Sequence, residues 1–264
     1  MIKKIHYCRD GSEPPDSVIA RVEEWKKLCP GFEIMPWNDT NINIRTYEHI
    51  PFWTLAYSRK KWAYVSDIIQ FSKIYEHGGF YLDCDVVMIK PLNEINFNSE
   101  HLLLGYMCDG VLSGGFMYAP PKHPLVEKIL HYYSEVKEGR LVCNNTIMTD
   151  CINANVPDLL LNGRFYTSDK HKLTIFPKEY FCQPSFIASK SFVLDQFAGS
   201  WRETTNNKGF DVEYNKLSLY RIFKRKINCF LSIMRNEFRP VYLNAILGRK
   251  FLKEETWRKR RTQQ

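Results

Sequence analysis

Asp83 and Asp85 stand two residues apart in the run Gly78-Gly79-Phe80-Tyr81-Leu82-Asp83-Cys84-Asp85-Val86-Val87-Met88-Ile89-Lys90-Pro91-Leu92. The neighbours are apolar, aromatic or β-branched, so the run reads as a strand entered from a glycine turn. Residues i and i+2 of a strand share a face, roughly 6.5–7 Å apart. Asp83 and Asp85 are therefore expected to point the same way, with Cys84 facing away. Two like charges at that distance in an apolar run are costly unless a cation neutralises them. A hard divalent ion, Mg²⁺ or Mn²⁺, suits carboxylate oxygens and keeps positions open for phosphate oxygens. The pair thus reads as a seat for a metal and a diphosphate. A bare Asp-x-Asp recurs by chance as a solvated strand end, so its surroundings decide.

Those surroundings are an α/β chain. Lys3 to Cys8 reads as a strand and Val18 to Leu28 as a helix, with apolar residues at Val18, Val22, Trp25 and Leu28. Phe32 to Trp37 reads as a second strand, which makes a β-α-β opening of nucleotide-binding type. Pro51 to Arg59 reads as a short helix. Lys61 to His77 is the strongest helix, with Trp62, Val65, Ile68, Ile69 and Ile74 on its apolar side and Gly78-Gly79 as its stop. Asp67 and Gln70 fall on one face of it at i and i+3. Leu102 to Tyr106 and Ser113 to Ala119 read as strands, Pro124 to Val136 as a helix, and Leu173 to Pro177 and Phe192 to Leu194 as short late strands.

The composition bounds the class. The chain has 264 residues, 44% of them hydrophobic and 14% aromatic, enough for one large domain with its own core. It shows no apolar run of about 18 residues or more and no secretory leader at Met1 to Tyr7, so a cytosolic location is expected. The eight cysteines are scattered, without a Cys-x-x-Cys pair, and read as free thiols. The net charge of +8 is local: thirteen of the 37 Lys/Arg but three of the 29 Asp/Glu lie from Leu217 onward. There Leu219, Ile222, Phe223, Ile227, Phe230, Leu231 and Met234 recur at helical spacing beside Arg221, Lys224, Arg225 and Lys226. That is a basic amphipathic helix, suited either to packing on the main domain or to an anionic membrane surface. No nucleic-acid module accompanies it, and no nucleic-acid partner is expected. The division expected is a domain at 1–216 and a helical tail at 217–264.

Together these pieces resemble glycosyltransferase family 32. The resemblance is carried by Trp62-Ala63-Tyr64-Val65-Ser66-Asp67, by Tyr75-Glu76-His77-Gly78-Gly79-Phe80-Tyr81-Leu82-Asp83-Cys84-Asp85, and by Lys90-Pro91-Leu92. Ile5-His6-Tyr7-Cys8, Gly31 to Asn38 and Phe197-Ala198-Gly199-Ser200-Trp201 extend it over about residues 2–202. It implies a GT-A-type α/β domain with a mostly parallel central sheet. The activity implied is metal-dependent, retaining transfer of a hexose from a UDP- or GDP-sugar to a glycan acceptor. It places Asp67, Tyr81 and Asp83 at the donor, with His6, Tyr7, Arg9, Gln70, Ser200 and Trp201 as further donor contacts. Asp67, Asp83 and Asp85 are the catalytic set, and Asp83, Asp85, Asp195 and Gln196 the candidate ligands of Mn²⁺ or Mg²⁺.

Three positions depart from the family pattern: Arg9 replaces a tryptophan, Gln70 an arginine, and Asp195-Gln196 stands where a histidine is usual. The basic tail suggests a lipid-linked acceptor at the inner membrane face, with Ser113-Gly114-Gly115 and Asn144-Asn145 on the acceptor side. Two alternatives are a phosphatase of the HAD type with Asp83 as nucleophile, and a relative that binds sugar nucleotides or glycans without turnover.

Overall fold

The computed structural model describes residues 1–9, 14–136, 139–185, 190–196 and 219–235. The chain opens β1 (Lys4–Cys8), α1 (Asp16–Leu28) and β2 (Glu33–Trp37), the expected β-α-β unit, with β1 and β2 parallel. A single 3₁₀ turn (Ile44–Tyr47) leads to α2 (Pro51–Ser58) and α3 (Trp62–His77). Gly78 then turns the chain at φ 64°, and a side chain there would collide with Ile2 and Pro121, so only glycine fits. The turn launches β3 (Gly79–Leu82) antiparallel to the helix it has just left.

β3 ends earlier than the sequence suggests. Asp83, Cys84 and Asp85 form a turn closed by the Val86 N–H donating to the Asp83 carbonyl at 2.9 Å, and β4 (Val86–Met88) begins after it. The two aspartates therefore share a turn rather than one strand face. The reason is that β4 leaves the main sheet to pair with β9 (Val193–Asp195), antiparallel, in a two-stranded sheet of its own. Apolar residues on both sides of the motif concealed that change of sheet.

The remaining elements are β5 (Leu102–Cys108), β6 (Val111–Ala119), α4 (Pro124–Ser134), α5 (Asn144–Asn155), β7 (Tyr166–Ser168), β8 (Leu173–Phe176), the short α6 (Lys178–Phe181) and α7 (Leu219–Arg235). The main sheet runs β2-β1-β3-β6-β5-β8-β7. Five of its seven strands share one direction, and β6 and β7 oppose them. Strands β3 and β6 are buried along their whole length, the mark of a central strand covered on both faces. One face packs Val65, Ile68, Phe71, Ile129, Tyr133 and Met148 from α3, α4 and α5, and the other packs Trp25, Val86, Leu92, Phe181 and Val193. This three-layer α/β sandwich has the mostly parallel sheet expected of a GT-A-type domain.

Candidate active site

Strands β1 and β3 end side by side, which puts Arg9 and the Asp83–Asp85 turn at their carboxyl edge, where open α/β sheets bind ligands. α3 runs back along β3, so its second turn brings Asp67 to the same edge. β6 passes beside the turn, and the Asp83 N–H donates to the Gly115 carbonyl at 3.0 Å. β9 closes the far side through its pairing of Asp195 with Val86.

Gly115 is what lets the acids meet. A Cβ there would lie 3.1 Å from one Asp83 oxygen and 3.4 Å from one Asp195 oxygen, so both carboxylates sit over the same bare backbone. Tyr81, buried, donates its hydroxyl to Asp83 Oδ1 at 3.0 Å. Gln196 follows Asp195, and its N–H donates to the Asp85 carbonyl at 3.3 Å. Its side chain is buried, and neither polar atom has a hydrogen-bond partner.

The electrostatics are those of acids crowded without a counter-charge. Burial first, then the charges of Asp85 and Asp67, push the Asp83 carboxyl up to about 8, against the lowering effect of the Tyr81 bond. Burial alone raises Asp67 well above the carboxylate range. Burial and then Asp83 raise the Tyr81 phenol well above its usual value.

A divalent cation would relieve this repulsion, and the candidate donors Asp83, Asp85, Asp195 and the unpaired Gln196 amide oxygen are all hard oxygens. Among the described residues no three His, Cys, Asp or Glu side chains are gathered closely enough to hold an ion by themselves.

Several expected donor contacts make internal bonds that hold the fold. His6 is wholly buried, its Nε2 bonded to the Gly78 carbonyl at 2.9 Å and its Nδ1 accepting from Trp37 Nε1 at 3.0 Å. Burial lowers its pKa to about 4, so it is a neutral girder with both nitrogens committed. The Tyr7 ring packs edge-on against Trp25 in the core, 5.8 Å between centroids. Gln70 is also buried: Nε2 donates to the Gly114 carbonyl at 2.6 Å, and Oε1 accepts from Asn144 at 3.4 Å. The Gly114 N–H in turn donates to Asn145 Oδ1 at 2.7 Å.

Gln70, Asn144 and Asn145 therefore clamp β6 between α3 and α5. Arg9 differs: its backbone N–H is held by the Trp37 carbonyl at 2.9 Å, while its Nη1 is buried with no partner. Ser200 and Trp201 lie outside the described residues. Sequence reasoning missed Gly115 as the cradle of the acids, because nothing in Ser113-Gly114-Gly115 tells which glycine faces Asp83.

Residues 15–102 match the family model of the glycosyltransferase sugar-binding region containing the DXD motif. No curated protein matches the chain. Among solved structures, it is similar to the PaToxG glycosyltransferase at 14% identity, over 59% of this chain and 69% of that one, with TM-score 0.49. It is similar to GlyE of Streptococcus pneumoniae TIGR4 at 11% identity, over 86% and 64% of the two chains, with TM-score 0.46. A glycosyltransferase involved in glycosylation of the major capsid of PBCV-1 is similar at 10% identity, over 84% and 98%, with TM-score 0.41.

Proposed function

We propose that this chain, which carries a DXD-type glycosyltransferase region, transfers a hexose from a UDP- or GDP-sugar to a glycan acceptor with retention of configuration. The observation that carries the reading is the convergence of Asp83 and Asp195 over Gly115, with Asp85 and the unpaired Gln196 amide beside them. Glycosyltransferases of the DXD type generally use a divalent metal, and Asp83, Asp85, Asp195 and Gln196 would hold Mg²⁺ or Mn²⁺ here. Such an ion supplies Lewis-acid relief of the charge that gathers on the departing diphosphate.

The chain's own residues do the rest. The Tyr81 hydroxyl orients Asp83 so that its other oxygen faces the cradle. Asp67, close enough for its charge to act on Asp83, offers a carboxylate to the sugar, whose carbon gains positive character as the bond breaks. Arg9 carries an unused buried donor suited to the nucleotide end of the donor molecule. Asp85→Asn is expected to lower donor turnover at least a hundredfold with the fold intact; turnover within threefold of wild type would remove Asp85 from the site.

We further propose an anionic membrane as the working surface, and a lipid-linked glycan as acceptor. α7 meets α6 in a 3.6 Å pair of Lys226 with Glu179, and its Ile222 is buried. Leu219, Tyr220, Phe223, Ile227, Phe230 and Leu231 remain exposed on one continuous arc of the helix, and Lys224 is exposed beside it. Among the described residues no helix is long and apolar enough to cross a bilayer. An arc of this kind fits a helix lying in the lipid interface on the cytosolic side. The domain at 1–216 and the tail at 217–264 would then be catalytic unit and anchor.

A further inference from the structure

Tyr133 of α4 has a use that neither the sequence pattern nor the site described so far accounts for. Its ring is wholly buried, 5.1 Å from Phe52 of α2 and 5.9 Å from Phe71 of α3 between centroids. Phenylalanine would fill that gap as well. The hydroxyl adds nothing to the packing, and it is buried with no hydrogen-bond partner. Buried hydroxyls are normally paired, so an orphan calls for an explanation.

Asp67 supplies one. It lies one turn before Phe71 on the same face of α3, and its charge is close enough to raise the Tyr133 phenol. The titratable groups that face Asp67 electrostatically are Cys8 at the end of β1, Asp83 in the turn after β3 and Tyr133 on α4, with Cys143 before α5 acting on the same phenol. All but one of these are acids or thiols, which give a carboxylate little support. The phenol is the donor among them that has no other bond.

We propose that Tyr133 is a positioning residue for Asp67. In the donor-bound protein its hydroxyl donates to one Asp67 oxygen and leaves the other to accept from a hydroxyl of the transferred sugar. The proposal rests on the glycosyltransferase reading above. The Tyr133 hydroxyl has no partner, and the Asp67 carboxylate, on the face of α3 that carries Phe71 beside the Tyr133 ring, is the acceptor the proposal assigns to it. Without the phenol, Asp67 would meet the sugar as a poorly supported charge in dry surroundings.

The test is Tyr133→Phe in the full chain. Calorimetry with UDP-glucose and GDP-mannose, in Mn²⁺ and in Mg²⁺, first establishes which donor the wild type binds and turns over. For that donor, KM of the variant is expected to rise about tenfold while kcat changes less than threefold, the size expected for one bond to a charged group. Its Tm is expected to stay level or rise, because the hydroxyl removed has no partner in the free protein. Asp67→Asn combined with Tyr133→Phe is expected to be no worse than Asp67→Asn alone, since the phenol acts only through the carboxylate. A Tm lower by several degrees with KM unchanged, or effects that add in the double variant, would overturn the proposal while leaving the glycosyltransferase reading in place. A wild type that binds neither of these nor any other donor of a UDP- and GDP-hexose panel would instead overturn that reading, and this one with it.

Discussion

Asp83 is an acid that the free protein keeps protonated. Its carboxyl titrates near 8 when folded, against an ordinary value of 3.8. Between those values the folded state holds a proton that the unfolded state has released, so this group makes the metal-free protein less stable as pH rises from about 4 to about 8. Asp83→Asn lacks that dependence. Melting in the presence of a chelator is expected to show the variant gaining on wild type through pH 5 to 8; a difference flat with pH would contradict the account. His6 and His123 work in the other direction. Burial lowers each to about 4, so their contribution is present above 6.5 and is lost as pH falls toward 4. The metal-free protein should therefore be squeezed from both ends of the pH scale.

At the scale of elements, the sequence revealed most of the helices and strands because their patterns are local. The stripe of α3, the proline entry of α4 and the glycine stop before β3 are all read from neighbouring residues. Two things were not legible. The continuous apolar stretch around Asp83 reads as one strand, because β3 and β4 are equally apolar, and only long-range pairing with β9 shows that the chain changes sheet there. The resemblance implied donor contacts at His6 and Gln70, and the structure shows both buried and engaged in internal bonds. Residue type cannot tell a polar group facing a ligand from one facing a carbonyl 44 positions away.

The glycines of β6 separate these roles by experiment. Gly114→Ala would drive a methyl into the Asn144 carboxamide and should cost about 1–3 kcal/mol of stability, read by denaturant unfolding. Gly115→Ala would press on Asp83 and Asp195 instead. It should melt near the wild-type temperature but bind Mn²⁺ at least about tenfold more weakly, the scale of effect seen when groups around a metal site are disturbed. Equal losses of stability in the two variants would show that Gly115 serves only the fold.

For the whole molecule, the charge of the chain is arranged by function rather than spread. Residues 1–216 carry 24 Lys/Arg against 26 Asp/Glu, so the excess of positive charge lies from Leu217 onward. If α7 and the segment after it are an anchor, the full chain should sediment with vesicles containing phosphatidylserine and release them as salt rises, at about 1 kcal/mol per well-placed cation. A chain ending at Ser218 should stay in solution. Equal binding by both would assign α7 to the domain's own packing. The central claim lies in the cleft and needs no membrane to test. Incubated with a panel of UDP- and GDP-hexoses and Mn²⁺ or Mg²⁺, the protein is predicted to release nucleoside diphosphate from one of them, in the presence of the ion and not with chelator. Release from none of the donors with either ion, or release that Asp85→Asn leaves unchanged, would contradict it.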